Sequence, residues 1–202
     1  MSSEVGSGRR DEIVDAAIQV LGTSGSRNLT HRAVDRYLGI AEGSSSNYFR
    51  TRHTLLAAIF ARIAEVDMEL LLAAIENAAT HPPGRFSVQQ VFEAALMHYV
   101  FDASRLFRQR ARLEVLLISA DWPELNESVR ENRKKFRDSL MELAKSLHSP
   151  LQEHAVRFLV DFGDGILLDQ IVSKSFEPID VDHMKRTFSA LLDTVFESQE
   201  KD

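Results

Sequence analysis

The chain of 202 residues contains no cysteine. Disulfides, thiolate catalysis and cysteine-ligated zinc are thereby excluded, and a reducing compartment suits the protein. Proline and glycine are sparse, at five and nine, so few points interrupt regular structure. An apolar run of about 18 residues, the minimum for a membrane helix, is absent. The opening "MSSEVGSGRRDEIV" has no apolar stretch ahead of its charges, as a secretory signal would require. A soluble, cytoplasmic protein with no membrane partner is expected. Strand signals are nearly missing too. What is present is 44 % apolar content, ample for a packed core in one large domain or a small one joined to a larger one.

Net charge is −6, from 24 Lys/Arg and 30 Asp/Glu, but it is unevenly spread. Residues 1–53 hold seven Lys/Arg against six Asp/Glu, leaving 17 against 24 for residues 54–202. Arg32, Arg36, Arg50 and Arg52 gather around the stretch "GSSSNYFRTRHTLL" at 43–56, a small basic footprint of the kind nucleic acid requires.

Apolar residues recur at three-four spacing almost everywhere, which predicts an all-α chain. Helices are expected over about 9–21, 30–37, 41–47, from 51 into the 70s, 87–102, 104–120, 123–147, 150–174 and 181–197. Thr30 has the form of an N-cap, with Leu29 and Val34 as a hydrophobic staple. Gly39 fits a left-handed turn, Thr51 can cap the long helix that follows, and "GTSGSRN" at 22–28 closes the first helix. "THPPGRF" at 80–86 is the clearest break.

A Gly followed by three Ser is compatible with a linker or a nucleophile loop, yet neither suits positions 43–46. The segment Gly43-Ser44-Ser45-Ser46-Asn47 has Asn where a nucleophile elbow needs its second Gly, and no strand precedes it. Gly163-Asp164-Gly165 has Leu168 where a dinucleotide loop needs a third Gly. Two short helices joined by a Gly-containing turn instead give the spacing of a helix-turn-helix. There, Gly43, Ser44 and Ser45 would let backbone approach a base-pair edge, Asn47 can pair with adenine, and Tyr48, Arg50 and Arg52 would meet phosphates.

Other groupings carry less. His148, His154 and His183 lack the i, i+4 pairing with a supporting Glu of a helical zinc site, so no metal is expected. Phe101, Phe107, Trp122 and Phe136 suit a pocket or plain core, and "RENRKKFR" at 130–137 suits a solvated helix face. No clustered nucleophile, base or ligand set can be assembled, so no catalytic residue and no enzymatic activity are expected.

The run from Leu29 to Leu55, "LTHRAVDRYLGIAEGSSSNYFRTRHTL", resembles the DNA-binding motif of TetR-family transcriptional regulators. Thr30, Gly39, Ile40, Gly43, Ser44, Tyr48, Phe49, Thr51, Arg52 and Leu55 fit that pattern. Three positions depart from it: Ala41 replaces a capping Ser, Asp35 a small Ala, and Arg50 a frequent Pro. Asp35 is expected in a salt bridge within the domain. "ADWPEL" and "GDGILL" also look like turn and late-helix features of the family.

The resemblance implies an all-α fold of about nine helices, with a helix-turn-helix domain over 1–53 and a ligand-sensing and dimerising domain over 54–202. It implies a repressor that binds palindromic double-stranded DNA as a homodimer, is released by a small-molecule effector, and needs no cofactor. A helical adaptor, or an activator without an inducer, is the alternative. The DNA-contacting set would be Thr30, His31, Arg32, Ser44, Ser45, Ser46, Asn47, Tyr48, Arg50 and Arg52. A pocket in the sensor bundle would draw on Phe92, Leu96, Tyr99, Leu117, Trp122 and Phe136, with His98, Glu114 and Asp161 orienting a polar or cationic ligand. The helix over about 151–174 is apolar on nearly every face, which one chain of this size cannot easily cover. A dimer interface through Leu167, Ile171, Phe188, Leu192 and Val195 is therefore expected.

Overall fold

The computed structural model describes residues 2–78, 106–146, 151–172 and 181–199. Among them all regular structure is helical. In chain order these are α1 (Ser2–Ser24), a 3-10 turn (Ser26–Asn28), α2 (His31–Leu38), α3 (Ser44–Tyr48), α4 (Arg52–Ala78), α5 (Leu106–Ser119), α6 (Pro123–Ser146), α7 (Glu153–Val172) and α8 (Val181–Gln199). The all-α expectation holds, while the helix expected over 87–102 lies outside the described residues.

The short-range signals operate as the sequence predicts. The Thr30 hydroxyl accepts from the Ala33 amide at 3.1 Å and so caps α2, satisfying one of the amides that a helix start leaves without a partner. Leu29 and Val34 are both buried in one core, as a staple requires. Gly39 ends α2 in the left-handed conformation, at φ 66°. Thr51 accepts from the Thr54 amide at 3.1 Å, and Thr54 Oγ1 accepts in return from the Thr51 amide at 3.3 Å. A reciprocal box built from two threonines thus opens α4.

α1 closes at Ser24, within "GTSGSRN" as expected, and Gly22 lies in its last turn, where a Cβ would run into the Phe107 carbonyl. The glycine lets α5 approach α1 backbone to backbone. α1 also begins at Ser2, ahead of the expected start at Arg9.

The chain divides into two compact units, Met1–Val66 with Ser104–Arg133, and Asp67–Ala103 with Lys134–Asp202. The first unit's core gathers Ile13, Ala17 and Leu21 of α1, Val34 of α2, Phe49, Leu55, Ile59 and Ile63 of α4, Ala111 and Val115 of α5, and Leu125 and Val129 of α6. Each large side chain fully buried there contributes roughly 1.5–3 kcal/mol. The helix-turn-helix segment is thereby held to α1, α4 and α5 through apolar burial on its inner side. The second unit has its own core of Leu140, Leu143, Leu151, Val156, Leu159, Leu167 and Leu192.

Candidate nucleic-acid interface

The turn between α2 and α3 is organised by one buried carboxylate. Asp35, fully buried on α2, accepts from the Gly43 amide at 2.8 Å and the Ser45 amide at 2.9 Å. The expected salt bridge is replaced by a cap delivered from another helix. Gly43, at the N-cap position of α3, has no side chain with which to do this, and Ala41, in the place of the family's usual capping Ser, has no oxygen to offer. Asp35 and Ala41 therefore form one compensating pair: the first supplies the acceptor that the second lacks. Burial pushes the Asp35 carboxyl up. The Ser45 amide, the neighbouring Ser45 hydroxyl, the Gly43 amide and the charge of His31 outweigh that, and hold it below its ordinary value.

Two further contacts pin the far end of α3. The His31 ring Nε2 lies 2.6 Å from the Phe49 carbonyl oxygen, and the Arg10 guanidinium sits 4.8 Å from the centre of the buried Phe49 ring. Of the aromatic pair Tyr48-Phe49, one ring is therefore an anchor and the other, Tyr48, is exposed.

The structure sorts the sequence-derived DNA-contact residues into two groups. Arg32, Asn47, Tyr48 and Arg50 are exposed, and Ser44 and Ser46 are half-exposed. The Ser44 and Ser46 hydroxyls donate to the carbonyls of Ala41 and Gly43 at 2.6 and 2.7 Å, leaving their oxygens able to accept. Ser45, Arg52, Thr30 and His31 turn to internal tasks. Ser45 is fully buried, its hydroxyl donating to the His31 carbonyl at 3.2 Å. Arg52 spreads its guanidinium over two backbone carbonyls, those of Leu29 and Ser26, each at 2.6 Å. That fork ties the start of α4 to the 3-10 turn and to the entry of α2.

The 3-10 turn is gripped from its other side as well. Glu114 of α5 accepts from the Ser26 amide at 3.3 Å. Ser26 thus joins Glu114 to Arg52 through the amide and the carbonyl of one residue. Arg62 of α4 adds a bond to Asp15 of α1 at 3.1 Å, and its guanidinium is held further toward the charged form by that carboxylate first, with Glu65 assisting.

The family model described as Tetracyclin repressor-like, C-terminal domain, matches residues 87–197. The chain belongs to the TetR family of transcriptional regulators. Its fold is that of a transcriptional regulator from Rhodococcus sp. Rha1, at TM-score 0.74 and 18 % identity, covering 94 % of this chain and 96 % of that one. A second Rhodococcus protein assigned to the TetR family superposes at TM-score 0.72 with 17 % identity over 94 % and 99 % of the two chains. The multidrug binding protein EbrR complexed with ethidium superposes at TM-score 0.67 with 22 % identity over 91 % and 98 %. No curated protein sequence matches the chain.

Within this TetR-family chain the expected ligand-binding residues fall in both units. Glu114, Leu117 and Trp122 belong to the first unit. Glu114 faces the 3-10 turn, Leu117 is 71 % exposed, and Trp122 packs on the first core with its ring 5.7 Å from His53. Phe136 and Asp161 belong to the second unit, Phe136 against its core and Asp161 on α7, 3.7 Å from Arg157. Phe92, Leu96, His98 and Tyr99 lie outside the described residues.

The expected dimer residues are also divided. Leu167 and Leu192 are buried in the chain's own second core, and Ile171 is half-buried; the side chains of Phe188 and Val195 lie outside the described residues. α7 instead exposes Phe158, Leu168 and Val172, opposite the buried row Ala155, Val156, Leu159 and Leu167. His154 and His183 are exposed, and among the described residues no cluster of three His, Asp or Glu is placed to hold a metal ion. No described helix is long and apolar enough to cross a membrane.

Proposed function

We propose that this protein is a transcriptional repressor that binds a palindromic operator as a homodimer and is released by a small molecule held in the second unit. One observation carries the DNA-binding part. A short helix, α3, is clamped from behind by Asp35 and Phe49 while its outer side presents Asn47 and Tyr48 beside Arg32 and Arg50. A helix fixed in this way can enter the major groove without paying for its ordering on contact. Asn47 then pairs with an adenine edge, and Tyr48 and Arg50 fix register on phosphates. Two copies of α3 in a dimer must meet successive grooves about 34–36 Å apart, and the exposed apolar residues Leu168 and Val172 of α7 are the surface on which two copies would pair.

For the effector, the second unit supplies aromatic and acidic groups together. Phe158 and Phe162 stack on α7 with ring centres 6.3 Å apart, and Asp161 lies between them in sequence. Ethidium and malachite green, the compounds in complexes of EbrR, are cationic aromatic dyes, and an aromatic wall with a carboxylate is the chemistry that holds such ions. The protein does no catalysis in this reading, needs no cofactor and works in the cytoplasm. The coupling has a physical carrier in the first unit, where α5 holds the 3-10 turn through Glu114 and touches α1 at Gly22. An effector that favours a different α5 position would disturb both contacts, and linkage sizes the effect at about 5- to 150-fold in operator affinity.

Fluorescence anisotropy of the full-length protein with DNA from upstream of its own coding sequence tests the reading. Saturable binding that is lost for Tyr48→Ala, and weakened by ethidium or malachite green at a concentration that leaves a control DNA-binding protein on its site, is the expected result. Absence of saturable binding to that DNA and to genomic fragments would overturn it.

A further inference from the structure

Between Thr30 and Thr54 the chain has two carboxylates, and Asp35 is buried. Glu42 is the other. It is exposed, stands immediately before the Gly43 N-cap of α3, and accepts from Arg32 Nε of α2 at 2.9 Å. A carboxylate on a surface that approaches phosphates is repelled by them, so its presence there calls for something it can recognise. An exposed ion pair contributes little to folding, and stability does not supply that reason.

We infer that Glu42 is a specificity-determining residue that selects cytosine in the operator, with Arg32 holding its carboxylate toward the groove. The inference rests on the DNA-binding reading above. An ionised carboxylate only accepts hydrogen bonds, and in the major groove the donors are the exocyclic amines of cytosine and adenine. Guanine presents two acceptors and thymine one, and these repel it. The adenine amine lies between two acceptors, its own N7 and the O4 of the paired thymine, whereas cytosine N4–H₂ has an acceptor, the paired guanine's O6, on one side only and the non-repelling C5–H on the other, so cytosine is selected. Arg32 uses Nε on Glu42, which leaves its terminal nitrogens to meet the adjacent phosphate. The pair is thus close to neutral toward the backbone, and its acceptor points at the base.

Selection from a randomised double-stranded DNA library by full-length wild type, Glu42→Gln and Glu42→Ala proteins tests this. Wild type should enrich a motif with cytosine at one symmetric pair of positions, preferred over other bases by roughly 5- to 150-fold. Glu42→Gln should move the preference at those positions toward adenine, with which an amide pairs in two places. Glu42→Ala should flatten it there and nowhere else. Both side chains are solvent-exposed, so the variants fold as wild type does. Identical motifs from all three proteins would overturn the assignment, as would a uniform gain in affinity without a change of preference, which would mark Glu42 as a simple repellent of phosphate. If wild type enriches no motif at all, the DNA-binding reading fails together with this one.

Discussion

Replacing Asp35 by Ala tests whether α3 is held in place by a cap borrowed from α2. The substitution removes the acceptor of two amides, those of Gly43 and Ser45. Their fates differ. Gly43 is exposed and its amide finds water, but Ser45 is fully buried, so its amide is left without a partner. A stranded buried amide costs about 1–3 kcal/mol, and hydrogen bonds to a charged group contribute about 1.5–3 kcal/mol each. Against this stands the relief of no longer burying a carboxylate, itself worth several kcal/mol. The expected net loss is about 1–3 kcal/mol, or a fall in Tm of roughly 2–12 °C for a chain of this size. Thermal denaturation gives the total, and amide hydrogen exchange at residues 43–48 localises it, since the loss should fall on α3 while the α1 core exchanges as before. A second substitution makes the reasoning specific: Ala41→Ser placed in the Asp35→Ala background offers a hydroxyl to the amides of Gly43 and Ser44 but does not reach that of Ser45, so it should recover only a small part of the loss. In the wild-type background the same Ser should add little, because the position is already served. An Asp35→Ala protein within about 0.5 kcal/mol of wild type, the size of an ordinary surface change, with unaltered exchange over α3, would refute the cap.

The same carboxyl sets a pH dependence: its pKa is lowered in the folded state, so its contribution is complete above the ordinary carboxylate value of about 3.9 and is lost as pH falls through the lower native one. The stability gap between wild type and Asp35→Ala should stay constant near neutrality and close below about pH 4; a gap that widens in acid would reverse the sign. Arg50→Ala should lower the salt slope of operator binding by about one, while Arg52→Ala, which frees the carbonyls of Leu29 and Ser26, should lower Tm. Equal salt slopes for wild type and Arg50→Ala would remove Arg50 from the phosphate contacts. Gly22→Ala should destabilise by about 1–3 kcal/mol or more, because its Cβ would meet the Phe107 backbone, which cannot rotate away; an unchanged Tm would contradict the close approach of α1 and α5. Val172→Asp should convert a dimer to monomers in sedimentation, and wild-type protein that is monomeric at micromolar concentration would dispose of the α7 pairing surface.

What was legible in the sequence and what was not divide by the distance over which each interaction acts. Apolar spacing, the Thr30 cap, the Leu29 and Val34 staple, the Gly39 turn and the Thr51 cap all act within a few residues, and each is found in place. The role of Gly22 was not legible in the same way, because a glycine near a helix end and one that admits a neighbouring helix look alike until the neighbour is known. Ser45 was legible as a small polar residue in a recognition helix, but its inward direction depends on α2, whose His31 carbonyl it meets.

Arg52 shows the difficulty most plainly: an arginine after an aromatic pair in a basic stretch is a reasonable phosphate contact, yet its acceptors are carbonyls 23 and 26 residues earlier. Glu114 has its partner 88 residues away, and nothing near it in sequence hints at that turn. Asp35 was the exception that offered a clue. An acidic residue on the inward side of α2, in a chain whose position 41 lacks a capping oxygen, leaves the start of α3 in need of an acceptor and a carboxylate in need of donors. The two needs cancel only if the helices meet as they do, so the pair of departures from the family pattern already contained the geometry of the turn.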